Sequence, residues 1–328
     1  MHDHFRFNWH RCRAAAKAIA VMPVITLAVA VLAAGCGAAS HPHAAVLPPT
    51  TGPPRAAPQQ TATGSAHATG SAHATGSAHA TGSARAAASP HAAAQTGLVR
   101  ATSVSAAQKA RLPLATTYGT TPAAPQDPAP FAAETGIVLH PSTTRLVYSR
   151  PGGPAVAELP VTELGSPTWV PVIQSQPNWD RILLPTRPDR STGWIYLGGT
   201  GLQTAYTSYR IQINLATYQL TILDAGRSLG TWTVAQGAPG TPTPTGRTFV
   251  LASLIPQPVT YSPLILPLGT HSNTLTTYGG GPGTVGLHGW PDTSVFGHAV
   301  SHGCVRVPAA ALRTLSRIPL GTAVMITG

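Results

Sequence analysis

Downstream of residue 136 the chain alternates short apolar, β-branched and aromatic runs with Pro, Gly and Asn turns; upstream of it no such pattern exists. "GIVLHP", "TRLVYSRPGG", "AVAELPVTELG", "TWVPVIQSQPNWDRILLP" and "TGWIYLG" follow one another at strand-like spacing. They predict a small all-β barrel of about 65 residues over 135–203. Trp169, Trp179 and Trp194 fall here; their bulk favours core positions, with a groove lining as the alternative. A second region, 205–328, begins with "YRIQINLATYQLTILDAGRSLGTWTVAQG", which alternates on both sides of Asp224–Arg227. Asp-Ala-Gly there predicts a hairpin turn. "GAPGTPTPTGRTFVLASL" reads as a fixed Gly/Pro loop feeding another strand. "PAAALRTLSRI" is the one convincing helix, with Pro308 in its first turn and Pro319 ending it, and "GTAVMIT" supplies a last strand. The expected fold class is mainly β, with a small barrel followed by a sandwich-like domain carrying one helix just after Cys304.

The upstream third carries different signals. Residues 1–17 hold four basic groups, Ala18–Ala34 is apolar and uncharged, and "LAAGCG" closes the stretch. A basic start, an apolar segment and small residues at its end describe an export signal over 1–36. About 17 apolar residues broken by Pro23 are marginal for a lasting transmembrane helix. "AAGC" resembles the bacterial lipobox, which implies that Cys36 becomes a lipidated first residue; Ala33 stands where that motif prefers Leu, with Leu32 one step earlier. The alternative is an ordinary signal peptide or anchor with Cys36 incidental. From 37 to 134 the chain is Ala, Thr, Pro, Gly, Ser and His, with "ATGSAH" three times and then "ATGSAR". A six-residue period without bulky side chains buries no surface, so a disordered tether is expected, spanning roughly 50–60 Å as a random coil. His67, His73 and His79 repeat within it, but nothing there would preorganise metal ligands.

Net charge is +11, yet only two lysines occur and no basic run, which argues against nucleic acid as a partner. A mildly basic protein beside an anionic wall or membrane fits better. Cys12, Cys36 and Cys304 lie in three different zones and form no disulfide framework.

Cys304 therefore calls for its own explanation. "HGWPDTSVFGHAVSHGC" brings His288, His298 and His302 close to it in sequence. An ordinary thiol has a pKa near 8.5, and a neighbouring imidazole that takes its proton leaves a nucleophile able to transfer acyl groups. A turn ahead of a helix offers backbone N–H groups to thiolate and oxyanion, and Gly303 lets a substrate backbone approach. Zinc held by the three histidines and Cys304 is a rival, weakened by the tight His-x-Cys spacing and the lack of a second Cys or carboxylate. Burial of a lone cysteine is another, weakened because an exported chain otherwise poor in Cys has little use for a spare thiol. Asp292 in "WPDT" reads as a turn residue and His298 as a surface residue.

With "GAPGTPTPTGRTF" and "YSPLILPLGTHS" upstream, "HGW…AVSHGCVRV" resembles the L,D-transpeptidase catalytic domain of the YkuD type. Twelve residues separate His288 from Ser301, and Arg306 holds the last place of the motif. "WVPVIQSQPNWDRILLPTRPDRSTGWI" resembles a bacterial SH3-like module. The first resemblance implies Cys304 as nucleophile on a peptidoglycan stem peptide and His288 as proton acceptor and donor, oriented by the Gly289 carbonyl. It implies His302 and Ser301 shaping the site, Gly303 and Cys304 offering oxyanion N–H groups, and Arg306 ordering the site or meeting a substrate carboxylate. Tyr261 and His271 fall where the family has a mobile lid, and with Gly289 and Trp290 are the candidate substrate contacts. Trp290 stands where the family has Thr or Ser, which changes the acceptor side of the groove. No metal or organic cofactor is implied, and carbapenem-type β-lactams are implied inhibitors. The expected location is the outer face of the membrane or wall, held by a lipid anchor. The alternatives are an L,D-carboxypeptidase, a protein-anchoring acyltransferase, or a wall-binding module without activity.

Overall fold

The computed structural model describes residues 98–328, which belong to one compact unit. Cys36, the stretch expected to be an export signal and the ATGSAH repeats lie outside the described residues. Nine strands come first: β1 (Ile137–Pro141), β2 (Arg145–Tyr148), β3 (Ala155–Leu159), β4 (Thr162–Glu163), β5 (Ser166–Pro167), β6 (Val170–Gln176), β7 (Trp179–Leu183), β8 (Thr192–Tyr196) and β9 (Leu202–Tyr206). Seven form an antiparallel sheet in the order β3-β2-β8-β7-β6-β1-β9, and β4 pairs with β5 across a turn with positive φ at Leu164 and Gly165. Leu139, Val147, Val170, Ile182 and Ile195 fill its core. Trp179 and Trp194 are buried, packed with Tyr148, while Trp169 is half-buried against the His140 ring.

Residues 98–134 correct the expectation of a tether reaching to 134. They run along the first sheet and bond to it repeatedly. The Trp179 indole donates to the Val99 carbonyl at 2.8 Å, and Ala115 and Glu158 bond across at 2.8 Å. A short helix, α1 (Ala106–Lys109), is closed by a reciprocal capping box between Ser105 and Gln108. Asp127 takes both arms of the Arg247 guanidinium at 2.7 and 2.8 Å, with both side chains buried. The physical reason is that this segment is anchored by backbone bonds to a sheet edge and by a few side chains. Neither leaves an apolar period to read.

The second region follows the predicted order. Its strands are β10 (Tyr209–Asn214), β11 (Gln219–Asp224), β12 (Arg227–Thr233), β13 (Gln236–Gly237), β14 (Gly246–Phe249), β15 (Ile265–His271), β16 (Thr284–Gly289), β17 (Ala299–Ser301), β18 (Val305–Val307) and β19 (Ala323–Thr327); the helix α2 is Ala309–Leu315. The Asp-Ala-Gly turn does close the β11–β12 hairpin, with φ of 47° at Ala225 and 80° at Gly226, the paired positive values that a type I′ turn requires. A sheet ordered β12-β11-β10-β19-β14 faces a sheet ordered β15-β16-β18. On β10 only Ile211 and Ile213 are buried, and they meet Leu220, Leu266, Leu287, Val305 and Leu312 in one core. β15 and β16 are buried along their whole length, so no alternation marks them.

Candidate active site

The site begins at the turn between β17 and β18. Ser301, buried at the end of β17, donates from Oγ to the Cys304 carbonyl at 2.5 Å and accepts from the Gly303 N–H at 3.1 Å. Gly303 has φ of +117°, where a side chain would be strained, so glycine lets the turn close. The Gly/Pro loop after β13 braces the turn from outside. Thr241 Oγ1 donates to the Ser301 carbonyl and Thr243 Oγ1 to the Gly303 carbonyl, each at 2.8 Å. The free thiol of Cys304 is thus carried on a turn whose Ser301, Gly303 and Cys304 carbonyls each accept a side-chain hydroxyl. Two expectations change here. The Gly303 N–H is engaged by Ser301 rather than offered to an oxyanion. The three-residue β18 separates Cys304 from α2, so the helix N-terminus is not what meets the sulfur.

What meets it is a strand. β16 runs parallel to β18 with His288 opposite Arg306, and the Gly286 backbone N–H donates to the Cys304 sulfur. Gly286 and His288 are two apart on one strand and share a face. That brings the thiol to the strand that presents the imidazole. His288 is buried, and its Nδ1 donates to the Gly289 carbonyl at 2.8 Å, which leaves Nε2 as the basic nitrogen. Gly289 is held in turn by Ser262, whose Oγ accepts the Gly289 N–H at 2.8 Å and donates to the Leu264 carbonyl at 2.5 Å.

Burial lowers the His288 pKa from 6.5 to about 4; the Gly289 bond opposes this and the Arg306 charge adds to it. Burial also pushes the Cys304 thiol above its ordinary value, with the Gly286 N–H and Arg306 pulling it down. Both shifts favour neutral thiol beside neutral imidazole at pH 7. The resting pair is therefore suited to general-base activation during attack rather than to a standing thiolate–imidazolium pair.

Aromatic rings form one wall. Tyr261 lies edge-on to His288 with centroids 4.9 Å apart and 5.5 Å from the Trp290 ring. The Arg306 guanidinium stacks on Trp290 with its carbon 3.6 Å from the centroid, and Arg306 Nε is buried without a hydrogen-bond partner. Opposite, Tyr278 donates or accepts at His302 Nδ1 over 3.2 Å, with their rings 4.8 Å apart. Burial first and then Cys304 raise the Tyr278 phenol, so this ring senses the thiol.

The structure thus brings together Cys304, His288, Ser301, His302, Gly303, Arg306, Gly289, Tyr261 and Trp290. His271 is the exception. It is fully buried, with Nδ1 2.7 Å from Asp189 and Nε2 2.8 Å from the Thr117 carbonyl, and it ties three parts of the fold together instead of touching a substrate. It is the last residue of β15, and full burial with both ring nitrogens hydrogen-bonded keeps it off a lid. Asp292 caps a single 3₁₀ turn at 293–295 and His298 is exposed, both as expected. Among the described residues no group of three or more His, Cys, Asp or Glu side chains converges as metal ligands would. Ser262, Tyr278, Thr241 and Thr243 were not foreseen; only the Thr-Pro-Thr loop had a visible signal. Cavities of about 380 and 310 Å³ lie between the two regions and beside Glu163, and neither is lined by Cys304 or His288.

Residues 208–326 match the L,D-transpeptidase catalytic domain, YkuD. No curated protein matches the chain. Among solved structures, an L,D-transpeptidase from Mycobacterium smegmatis is 14% identical over 46% of this chain and 91% of its own, at a TM-score of 0.31. L,D-transpeptidase 3 from Mycobacterium tuberculosis, solved with a faropenem-derived adduct, is 11% identical over 58% of this chain and 95% of its own, at 0.33. The catalytic domain of the Enterococcus faecium L,D-transpeptidase is 23% identical over 36% of this chain and 95% of its own, at 0.28.

Proposed function

We propose that this protein is a peptidoglycan L,D-transpeptidase acting through an acyl-Cys304 thioester. The observation that carries the reading is that β16 supplies both the Gly286 N–H that meets Cys304 and His288, whose Nδ1–H is committed to the Gly289 carbonyl. In the donor half-reaction the sulfur attacks the carbonyl carbon of the L-centre in a stem peptide while His288 Nε2 takes the thiol proton. The tetrahedral intermediate collapses, the C–N bond breaks, and the departing D-amino acid takes that proton as its amine leaves. In the acceptor half-reaction an amine of a second stem attacks the thioester carbon, gives its proton to His288, and the thiol is restored. The Cys304 backbone N–H serves the oxyanion, since that of Gly303 is engaged. Arg306, stacked face-on against Trp290, offers its in-plane Nη donors to a stem carboxylate. The same chemistry makes Cys304 a target for carbapenem-type lactams. We place the protein outside the cytoplasmic membrane, on the strength of the basic and apolar amino terminus with Cys36, and read 135–203 as an SH3-like module beside the wall.

The test is incubation of purified protein with a tetrapeptide-stem muropeptide, followed by intact mass and product analysis. An adduct on Cys304, a released D-amino acid and a cross-linked dimer are expected. A hydrolysed stem in place of the dimer would make the protein an L,D-carboxypeptidase.

A further inference from the structure

The stretch Thr186–Ser191, between β7 and β8 of the upstream sheet, projects into the second region and grips it at three points. Asp189 receives the backbone N–H of His271 at 3.0 Å and the Thr270 hydroxyl at 2.9 Å. Arg190 donates to the Thr245 carbonyl at 2.8 Å, two residues from the Thr243 that braces Gly303. The third grip is the most unusual. The Arg187 guanidinium donates to the carbonyls of Ser272 at 3.3 Å, Leu275 at 3.2 Å and Pro282 at 3.0 Å. No carboxylate pairs with it among the described residues. Its own backbone is held on both sides, its N–H by the Gly119 carbonyl at 3.1 Å and its carbonyl by the Thr121 N–H at 2.7 Å.

Those three carbonyls stand at the two ends of one loop, residues 272–283. Its tip is a tight turn closed by mutual bonds between Tyr278 and Gly281 at 3.0 and 2.9 Å, with positive φ at Gly279 and Gly280. Tyr278 is the residue that touches His302 beside Cys304. Gly283 closes the base with φ of +72°, and a side chain there would run into the Leu275 carbonyl and sit 3.2 Å from Arg187 Nη2. The loop has little core of its own, since most of 273–281 is exposed. A planar, permanently charged group with several donors suits the task of tying three converging carbonyls, where a single ammonium would not.

We propose that Arg187 of the upstream sheet is a positioning residue for the acylation site: it fixes the 272–283 loop so that Tyr278 is held on His302 next to Cys304. This rests on the proposed acyl transfer at Cys304. The upstream sheet is then part of the working site and not only a neighbour in sequence.

The experiment uses the full chain as Arg187→Ala, Arg187→Lys, Tyr278→Phe and the Arg187→Ala/Tyr278→Phe double variant. Each is read by the rate of Cys304 acylation by a carbapenem, by the rate of its alkylation by iodoacetamide, and by thermal unfolding. Arg187→Ala is expected to slow acylation roughly tenfold or more, as small misplacements at reacting centres do. The double variant is expected to match Arg187→Ala alone within about twofold, because both act through one contact. Arg187→Lys is expected to lie near Arg187→Ala, and it carries the same test if the alanine variant does not fold. Acylation by the folded Arg187 variants within about twofold of the unsubstituted protein would overturn the proposal. So would effects of Arg187 and Tyr278 that multiply, since a merely structural role lowers the melting temperature without coupling to Tyr278. If the unsubstituted protein is alkylated at Cys304 but acylated by neither lactam nor stem peptide, the proposed function fails, and the alkylation rates of the four variants still decide the role of Arg187.

Discussion

Asp127→Ala removes the carboxylate that faces Arg247 from the 98–134 segment. Both side chains are buried, with 3% of the Arg247 and none of the Asp127 side-chain surface exposed. The substitution deletes acceptors for Nε at 2.7 Å and Nη2 at 2.8 Å. What remains for the guanidinium are the Ala132 and Ala133 carbonyls, both near Nη1 at 3.4 and 3.3 Å. A permanently charged group is then left in the interior with two donor nitrogens unpaired, which costs about 3–5 kcal/mol. For a body of this size each kcal/mol lowers the melting temperature by about 2–4 °C, so a fall of roughly 6–20 °C is expected in a thermal melt. The Asp127→Ala/Arg247→Met double variant removes the stranded charge and is expected to recover most of the loss. A fall below about 3 °C for the single variant, or a double variant no better than the single, would refute the reasoning, because the pair would then be solvated and the segment not part of the body.

Two further predictions concern pH and share one assay, the melting temperature followed from pH 4 to 8. His288 ionises at about 4 in the folded protein and at 6.5 ordinarily. Between those values the unfolded chain binds a proton that the folded protein does not, so the stability tied to His288 is complete above 6.5 and declines as pH falls towards 4, by about 3 kcal/mol in total. His288→Asn is expected to shed that part of the acid slope, and an unchanged slope would contradict the assignment. Glu163 works in the opposite sense. Burial raises its carboxyl from 4.5 to about 7, with one oxygen lacking any partner. Its contribution is complete below 4.5 and lost as pH rises through 7, so Glu163→Gln is expected to melt higher than the unsubstituted protein at pH 8 and to show no advantage at pH 4. A lower melting temperature at pH 8 would show that the carboxylate is favourably held there.

The parts of the site that were legible in the sequence are those encoded locally. Ser301, His302, Gly303 and Cys304 are consecutive, His288 stands at a fixed interval before them, and the β11–β12 hairpin and α2 carry their own turn and cap residues. What was not legible is made by partners far apart in sequence. Arg187 reaches Ser272, Leu275 and Pro282 through backbone carbonyls, which every residue owns and none advertises. Asp127 and Arg247 are 120 positions apart. His271 resembled a lid residue by its place in the chain, yet Asp189 and Thr117 complete its hydrogen bonds deep inside the fold, and neither lies near it in sequence. Residues 98–134 lack apolar periodicity because their order comes from sheet-edge bonding, and composition alone made them look like more of the repeat. The helix stands where Pro308 and the Ala/Leu run place it, and what the pattern did not show is the short Val305–Val307 strand between it and Cys304.

The central claim, that Cys304 is an acyl carrier served by His288, is tested most directly by intact mass spectrometry of the protein and of Cys304→Ser after incubation with a tetrapeptide-stem muropeptide. The account predicts an adduct of the stem acyl mass on the unsubstituted protein, mapped to Cys304, with an equimolar release of D-amino acid and neither in the Ser variant. No adduct and no released D-amino acid from folded protein, or equal release from Cys304→Ser, would contradict it.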